Sequence, residues 1–466
     1  MQLSKLEHNL VDIIWEDRPN HLSNEISAHP IKFAGESSQK KRKKIAKLIN
    51  HLQGHNFILT SPESISWLLN IRGADLEYTP IALSYAILSA NTKLVLFINP
   101  KLVPPKVKSH LGEDVTILSM HQFSDHLDSL SKNSRKILID PNQSSSWIFD
   151  KLKSKNVKII ETNDPCNLPK SCKNSTELKG IRSAHIRDGI ALTNFLFWLD
   201  KNIKNNSISE LDAIEKIDFL RSQNTYFKSL SFPTIAGSGS NGAIVHYRAN
   251  NSTNRKISSG DLFLIDSGGQ YLDGTTDVTR TIAIGEPSQE QCDRFTRVLK
   301  GHIAIASTIF VEGTTGSQLD VLARLPLWEI GLDFEHGTGH GVGAFLNVHE
   351  GPQRISKLSS NVPLKPGMII SNEPGYYKEG EYGIRIENLI AVTESKKNTS
   401  MERKNYEFET LTLAPIDIKL IDSKLMNANE INWLNTYHEK VFKTLSPLLN
   451  NDTQKWLSSK TKTLIY

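Results

Sequence analysis

Four carboxylates and one imidazole, set in four separated stretches, constrain the fold of this chain more than any other feature. They are Asp266 and Asp277 in LFLIDSGGQYLDGTTDVTRTI, His340 in EHGTGHGVGAFLNVHEGP, Glu373 in MIISNEPGYY and Glu387 in GIRIENLI. A core holds that many charges together only when cations balance them. The fold must then bring remote segments to one point.

Local patterns say how. Asp266 ends an apolar run, Leu262 to Ile265, that reads as a buried strand. A glycine-rich turn follows, and Asp277-Val278-Thr279-Arg280-Thr281-Ile282 resumes as a second strand. Two strands folded back on each other bring the aspartates side by side. Crowded carboxylates repel, and one would take up a proton unless a dication lies between them. Glu387 sits in an alternating stretch, Gly383 to Ile390, where Arg385 shares its face and clamps a ligating carboxylate. Glu373, followed by Pro374-Gly375, closes a strand at a turn. His340 lies in a glycine-dense loop, 337–343, whose small residues let backbone approach a site.

Carboxylates with one imidazole and no thiolate favour manganese, with cobalt or zinc as substitutes. A single catalytic zinc usually takes three protein ligands. Two metals roughly 3.5–4 Å apart fit this donor set better, and such a pair performs hydrolysis through an activated water. His246 (in NGAIVHY) and His349 (in NVHEGP) are candidate donors to a carbonyl oxygen as charge develops on it. His336 lies four residues before His340. Taken singly, an aspartate at a strand end is usually a turn residue, and a histidine in a glycine loop is usually structural.

The motifs together resemble the pita-bread metallopeptidases, most closely the eukaryotic-type aminopeptidase P (Xaa-Pro aminopeptidase) branch. Ser231-Phe232-Pro233-Thr234-Ile235, Asn241 to Tyr247, and His336 through Pro352 carry that resemblance. It implies an α/β (α+β) chain, with a pita-bread catalytic domain preceded by a creatinase/prolidase-type domain. It implies that Asp266 binds one metal, that Asp277 and Glu387 bridge both, and that His340 and Glu373 bind the second. Glu373 would also act as general base on a bridging hydroxide. His246 and His349 would contact the substrate carbonyl and the proline side, with His340 and Glu373 also at the substrate, and His336 would line the pocket. The implied reaction releases the N-terminal residue from peptides with proline second. An X–Pro bond has no N–H and a fixed ring, so its enzyme needs a pocket shaped for that ring. The resemblance starts at Glu7 to Trp15, which in longer relatives follows a first domain that supplies an arginine to substrate binding. That domain is expected to be absent here. Homodimers through the catalytic domain are the implied assembly.

Composition is that of an ordinary soluble protein: 466 residues, 38% hydrophobic, 23% charged. A net charge of +5 over this length gives no reason to expect nucleic acid. Met1 to Arg18 has neither the basic start nor the apolar core of a signal peptide. No apolar run approaches the ~20 residues of a membrane helix. Three cysteines form no metal pattern and suit a reducing compartment, so cytoplasm is expected.

Three segments are expected: 1–173, a leading arm and creatinase/prolidase-like domain; 174–397, the dimetal catalytic domain; and 398–466, an extension packed on it. In the first, a helix from Gln39 to Leu52 precedes strand-like runs Asn56–Leu59, Lys93–Ile98, Lys136–Ile139 and Val157–Ile160. Such alternation suggests a mixed sheet covered by helices. A hinge is expected in Asn163–Asn174, a long helix from Ser175 to about Asp200, and a helical end containing Trp433 and Trp456.

Three patterns mislead. Gly237-Ser-Gly-Ser-Asn-Gly242 fits a dinucleotide motif but runs into Ala243–Tyr247, read as a strand where that motif needs a helix. Lys40 to Lys44 reads as a solvated helix face. Sequons at Asn142, Asn205, Asn250 and Asn251 matter only in a secreted chain. Two other functions compete with the aminopeptidase. A prolidase would share the metal site, but Ala344-Phe345-Leu346-Asn347 before His349 argues against it. A non-catalytic binding protein on the same fold would not need every ligand intact.

Overall fold

The computed structural model describes residues 6, 8–18, 24–133, 136–155, 157–204, 207–395 and 402–465. The expected 397/398 boundary and the Asn205 sequon lie outside them.

In the N-terminal part, helix Ser38–His51 starts where the Ser37 side chain accepts from the Lys40 amide. Ile45, Ala46 and Ile49 recur on its buried face. The basic run does not form one solvated face. Lys41 and Arg42 turn inward, where Lys41 Nζ donates to Trp67 O at 3.0 Å and Asn70 Oδ1 at 2.7 Å. Arg42 Nη1 donates to Thr92 O at 2.7 Å. A helix repeats every 3.6 residues, so five successive cations cannot all face water.

The sheet beneath has six strands in the order Val115–Leu118, Leu94–Phe97, Tyr85–Ser89, Asn56–Leu59, Lys136–Ile139, Lys158–Glu161. Pairing is antiparallel at the centre and parallel at both ends. Phe57 and Leu59 enter one apolar cluster while Ile58 enters the other, so both faces are covered. The expected hinge is packed rather than open. It holds helix Asn167–Ser171 and buries Asp164, Cys166, Lys170 and Lys173.

Helix Ser175–Asn202 then begins with a capping box between Asn174 and Glu177. A three-stranded sheet follows, Ile235–Ser238, Leu262–Ser267 and Val278–Ala283. A four-stranded sheet runs Ile309–Val311, Asn405–Thr410, Asn388–Glu394, Ile369–Asn372. Hairpin Gly375–Lys378/Tyr382–Arg385 contacts the three-stranded sheet. Helices Gln289–Ser307, Gly316–Trp328 and Ala428–Leu445 share one apolar core with these strands: Val298, Ala323 and Leu434 meet Ile370, Ile384 and Ile390 there. The final helices contain Trp433 and Trp456. Ala243–Tyr247 is not a strand: a short 3-10 turn, Gly239–Ala243, leads into an irregular turn. Among the described residues, no helix is long and apolar enough to cross a membrane.

Candidate metal centre

Strand register explains how distant acids meet. Asp266 pairs with Thr279 across the antiparallel strands Leu262–Ser267 and Val278–Ala283. Asp277, two residues before Thr279, is therefore a same-face diagonal neighbour of Asp266. The connection is not a plain turn, because Gly269–Tyr271 pairs with Gly274–Thr275 inside it. Asn372 pairs with Asn388, so Glu373 and Glu387 leave adjacent strands side by side. His340 ends the short strand Gly339–His340, with its amide on Ser371 Oγ at 2.9 Å. A Cβ on Gly339 would lie 1.9 Å from Ser371 O, so glycine is required for that approach.

One cavity of about 480 Å³ is lined by all nine residues singled out from sequence: Asp266, Asp277, His340, Glu373, Glu387, His246, His336, His349 and Arg385. Ligand atoms of Asp277, His340 and Glu387 all lie within 4.8 Å of one another. His340 Nε2 is 3.5 Å from Asp277 Oδ2 and 3.4 Å from Glu373 Oε1. With His340 Nδ1 at 3.0 Å from Gly341 O, donation there leaves Nε2 as a free ligand.

Electrostatics make the case for cations. Burial, then Asp266 and Glu373, holds the Asp277 carboxyl well above its ordinary range. Burial, then Asp277, does the same to Glu387. Glu373 is raised too, mainly by burial, with His340 and Arg385 pulling it back. Asp266 Oδ1, Asp277 Oδ1 and Glu387 Oε1 are buried with no hydrogen-bond partner. Three orphaned acceptors at one cavity need a positive occupant. The hard, thiol-free donor set fits divalent cations.

Arg385 organises the surroundings. Its Nη2 donates to Asp266 Oδ2 at 2.7 Å, Nε to Thr279 Oγ1 at 3.2 Å and Nη1 to Tyr377 OH at 2.7 Å. Thr279 in turn donates to Glu387 Oε2 at 2.7 Å. The expected single strand is broken after Arg385, so Arg385 clamps Asp266 directly and reaches Glu387 only through Thr279. His336 has both ring nitrogens engaged, with Gly337 O at 2.8 Å and Tyr377 OH at 2.9 Å. Burial, then Arg385, lowers its pKa to about 4. His349 stands edge-on to His340, ring centroids 4.3 Å apart. It stays open to the cavity mouth, yet burial, then His340, lowers its pKa to about 4. Phe232, Pro233, Ile235 and Val245 form an apolar wall.

Thr279, Ser371 and Tyr377 were missed from sequence. Thr279 was within reach, since it lies two residues beyond Asp277 on the same strand face. Ser371, donating to Glu373 Oε1 at 2.9 Å, and Tyr377 carried no comparable signal.

Family models match in three places: metallopeptidase family M24 over residues 179–394, a creatinase/prolidase N-terminal domain over 17–177, and the C-terminal region of peptidase M24 over 404–464. The chain is 37% identical to aminopeptidase P1 of Lotus japonicus, covering 99% of this chain and 80% of that one. It is 41% identical to a probable Xaa-Pro aminopeptidase P of Laccaria bicolor, over 98% and 72%. Among solved structures it superposes on the X-prolyl aminopeptidase of Caenorhabditis elegans, described as a cytosolic enzyme with a di-nuclear active site. The TM-score is 0.93 at 35% identity, covering 98% of this chain and 76% of that one. An Xaa-Pro dipeptidase of Bacillus anthracis shares the fold, at TM-score 0.67 and 23% identity. With its register-built acid cluster and these relatives, the chain belongs to metallopeptidase family M24, in the aminopeptidase P branch.

Proposed function

We propose that this chain is a metal-dependent aminopeptidase that releases the N-terminal residue from peptides with proline second. The observation that carries the reading is the gathering of four carboxylates and His340 around orphaned buried oxygens in one cavity. Asp266, Asp277, His340, Glu373 and Glu387 would hold two divalent cations, manganese first by donor type, with cobalt or zinc as substitutes. Bound there, the cations supply a water of lowered pKa and a polarised carbonyl.

The chain's own residues do the rest. Glu373, its carboxyl raised by burial and its Oε1 held by Ser371, would take the proton of the activated water. His349, uncharged at neutral pH, and His246 present donors toward the carbonyl oxygen. His336 serves as wall rather than acid or base, because both its nitrogens are committed. The apolar wall from Phe232 to Val245 suits a pyrrolidine ring.

We assign 1–173, 174–397 and 398–466 as the N-terminal, catalytic and C-terminal segments, supported by the three matched families. Cytoplasm is the proposed location, supported by three free cysteines and the cytosolic C. elegans relative. A homodimer is proposed as the assembly. Its support is an exposed apolar stripe on helix Gly316–Trp328: Val321, Leu325 and Trp328.

The test is a peptide panel run with Mn²⁺, Co²⁺ and Zn²⁺. Arg-Pro-Pro should be cleaved at Arg-Pro. A folded, metal-loaded sample that leaves it intact sinks the reading, and one that cleaves only the dipeptide Arg-Pro makes the chain a prolidase. Glu373→Ala should keep the fold and lose at least ~100-fold in kcat. Normal turnover in that variant removes Glu373 from its role.

A further inference from the structure

The loop that carries His349 is held from outside the catalytic segment, at two points on either side of the histidine. On one side is Arg72, a buried guanidinium in the N-terminal part. Its Nε donates to Phe345 O, and its Nη2 to Ala344 O at 3.2 Å. Its Nη1 is spent on Ser66 O and Ile71 O, which fix it to its own domain. Phe345 has φ +51, a left-handed conformation that a phenylalanine keeps only when its surroundings enforce it. The Phe345 ring lies 5.8 Å from His29 and 5.6 Å from the Arg72 guanidinium. Leu346 is 1% exposed and belongs to the apolar cluster of the N-terminal sheet, among Ile26, Ile71 and Trp67.

On the other side is Glu350. Its carboxylate meets Lys173 Nζ at 2.6 Å and Lys170 Nζ at 2.9 Å, all three side chains nearly inaccessible. The two lysines hold the Glu350 carboxyl below its ordinary range against the opposing pull of burial. Between the anchors, the His349 amide donates to Asn347 Oδ1 at 3.1 Å, and the ring stands against His340. Only two residues separate Leu346 from His349, so the ring's placement follows from where the anchors sit.

We infer that Arg72 and the Lys170–Glu350–Lys173 cluster are positioning residues for His349. The N-terminal part would thereby set the geometry of the cavity it does not line. The inference rests on the peptidase reading for its kinetic arm only. A buried charge or fork has a rigid preferred geometry, and a misplaced donor near a reacting group is costly to rate rather than to binding.

The experiment uses the full metal-loaded chain and compares Arg72→Gln with Arg72→Lys. Arg42→Gln serves as control, because Arg42 is buried in the same domain and meets Thr92 and Asp114 within it, not the loop that carries His349. Hydrogen exchange should accelerate across 343–350 in Arg72→Gln while 262–267 stays protected. On Arg-Pro-Pro, kcat should fall roughly a hundredfold with metal content unchanged and KM moved far less. Arg72→Lys should recover only part, since an ammonium cannot reproduce the fork. Arg42→Gln should keep wild-type kcat per folded molecule.

The inference is overturned if 343–350 stays as protected in Arg72→Gln as in the wild type. It is overturned equally if kcat per folded molecule matches the Arg42→Gln control. Should Arg72→Gln not fold, Leu346→Ala loosens the same anchor and is read by the same exchange measurement, with the same two outcomes. A wild-type chain that cleaves no Xaa-Pro peptide sinks the peptidase reading, and exchange still decides this one.

Discussion

At Glu387 one residue serves sheet and site together. Its amide donates to Thr279 O, its carbonyl accepts from Arg280 Nη1 at 2.7 Å, and Oε2 accepts from Thr279 Oγ1, leaving Oε1 bare toward the cavity. Asp277 and Asp266 likewise each keep one bare oxygen. Without cations the Asp277 and Glu387 carboxyls retain protons well above the ordinary range, because burial and mutual repulsion oppose ionisation. The sign of the pH effect follows. The unfolded chain releases those protons near pH 4, whereas the metal-free folded chain keeps them. Their contribution to folding stability is therefore full below that point and is lost as pH rises through the raised values. His336 and His349 act oppositely but only below about 6.5, where the unfolded imidazole gains a proton that the folded one refuses until about 4. Lys41, lowered to about 8, enters only above that. Above about pH 6.5 the imidazoles no longer oppose the raised carboxyls, and the sign that remains is theirs. The metal-stripped chain should show a melting temperature that falls from pH 6.5 to 8, and Mn²⁺ should restore it. A flat or rising profile, or no response to Mn²⁺, would show that the cluster is not under this strain.

Elements were legible to the degree that their signals were local. The helices expected at Gln39–Leu52 and from Ser175 to about Asp200 are Ser38–His51 and Ser175–Asn202, with ends within two residues of the expected ones. The apolar runs at 56–59 and 136–139 became strands as read. Tyr85–Ser89 and Val115–Leu118 escaped notice, being short runs that gain their strand identity from neighbours in the sheet. The alternation from Gly383 to Ile390 was real but concealed a break after Arg385, where the chain passes from the hairpin to the four-stranded sheet. All nine candidate residues could be named because each lies in a compact motif. The grip of Arg72 on the 344–346 insert, 272 positions away in sequence at Ala344, could not, since no local pattern encodes a contact between domains. The same holds for Lys41 and Arg42, whose inward turn depends on Trp67, Asn70 and Thr92.

For the whole molecule, the open question of physical interest is what covers helix Gly316–Trp328. Val321, Leu325 and Trp328 are 41%, 50% and 43% exposed, spaced four and three apart on one face, with Ile330 at 37% beyond. The opposite face, through Leu319, Ala323 and Leu327, is spent on the core. A helix apolar on both sides is buried on both, or stands ready to be. A second copy of the chain, meeting this stripe about a two-fold axis, is the occupant consistent with the proposed homodimer. A stable pair needs about 800 Å² from each partner, so the stripe would be its centre rather than its whole. Light scattering at micromolar concentration should therefore return twice the chain mass. Leu325→Glu should return the single mass with little change in melting temperature, because the side chain it replaces is half exposed within its own protomer. A monomeric wild type, or a Leu325→Glu variant that still pairs, removes this face from the assembly and leaves the site chemistry untouched.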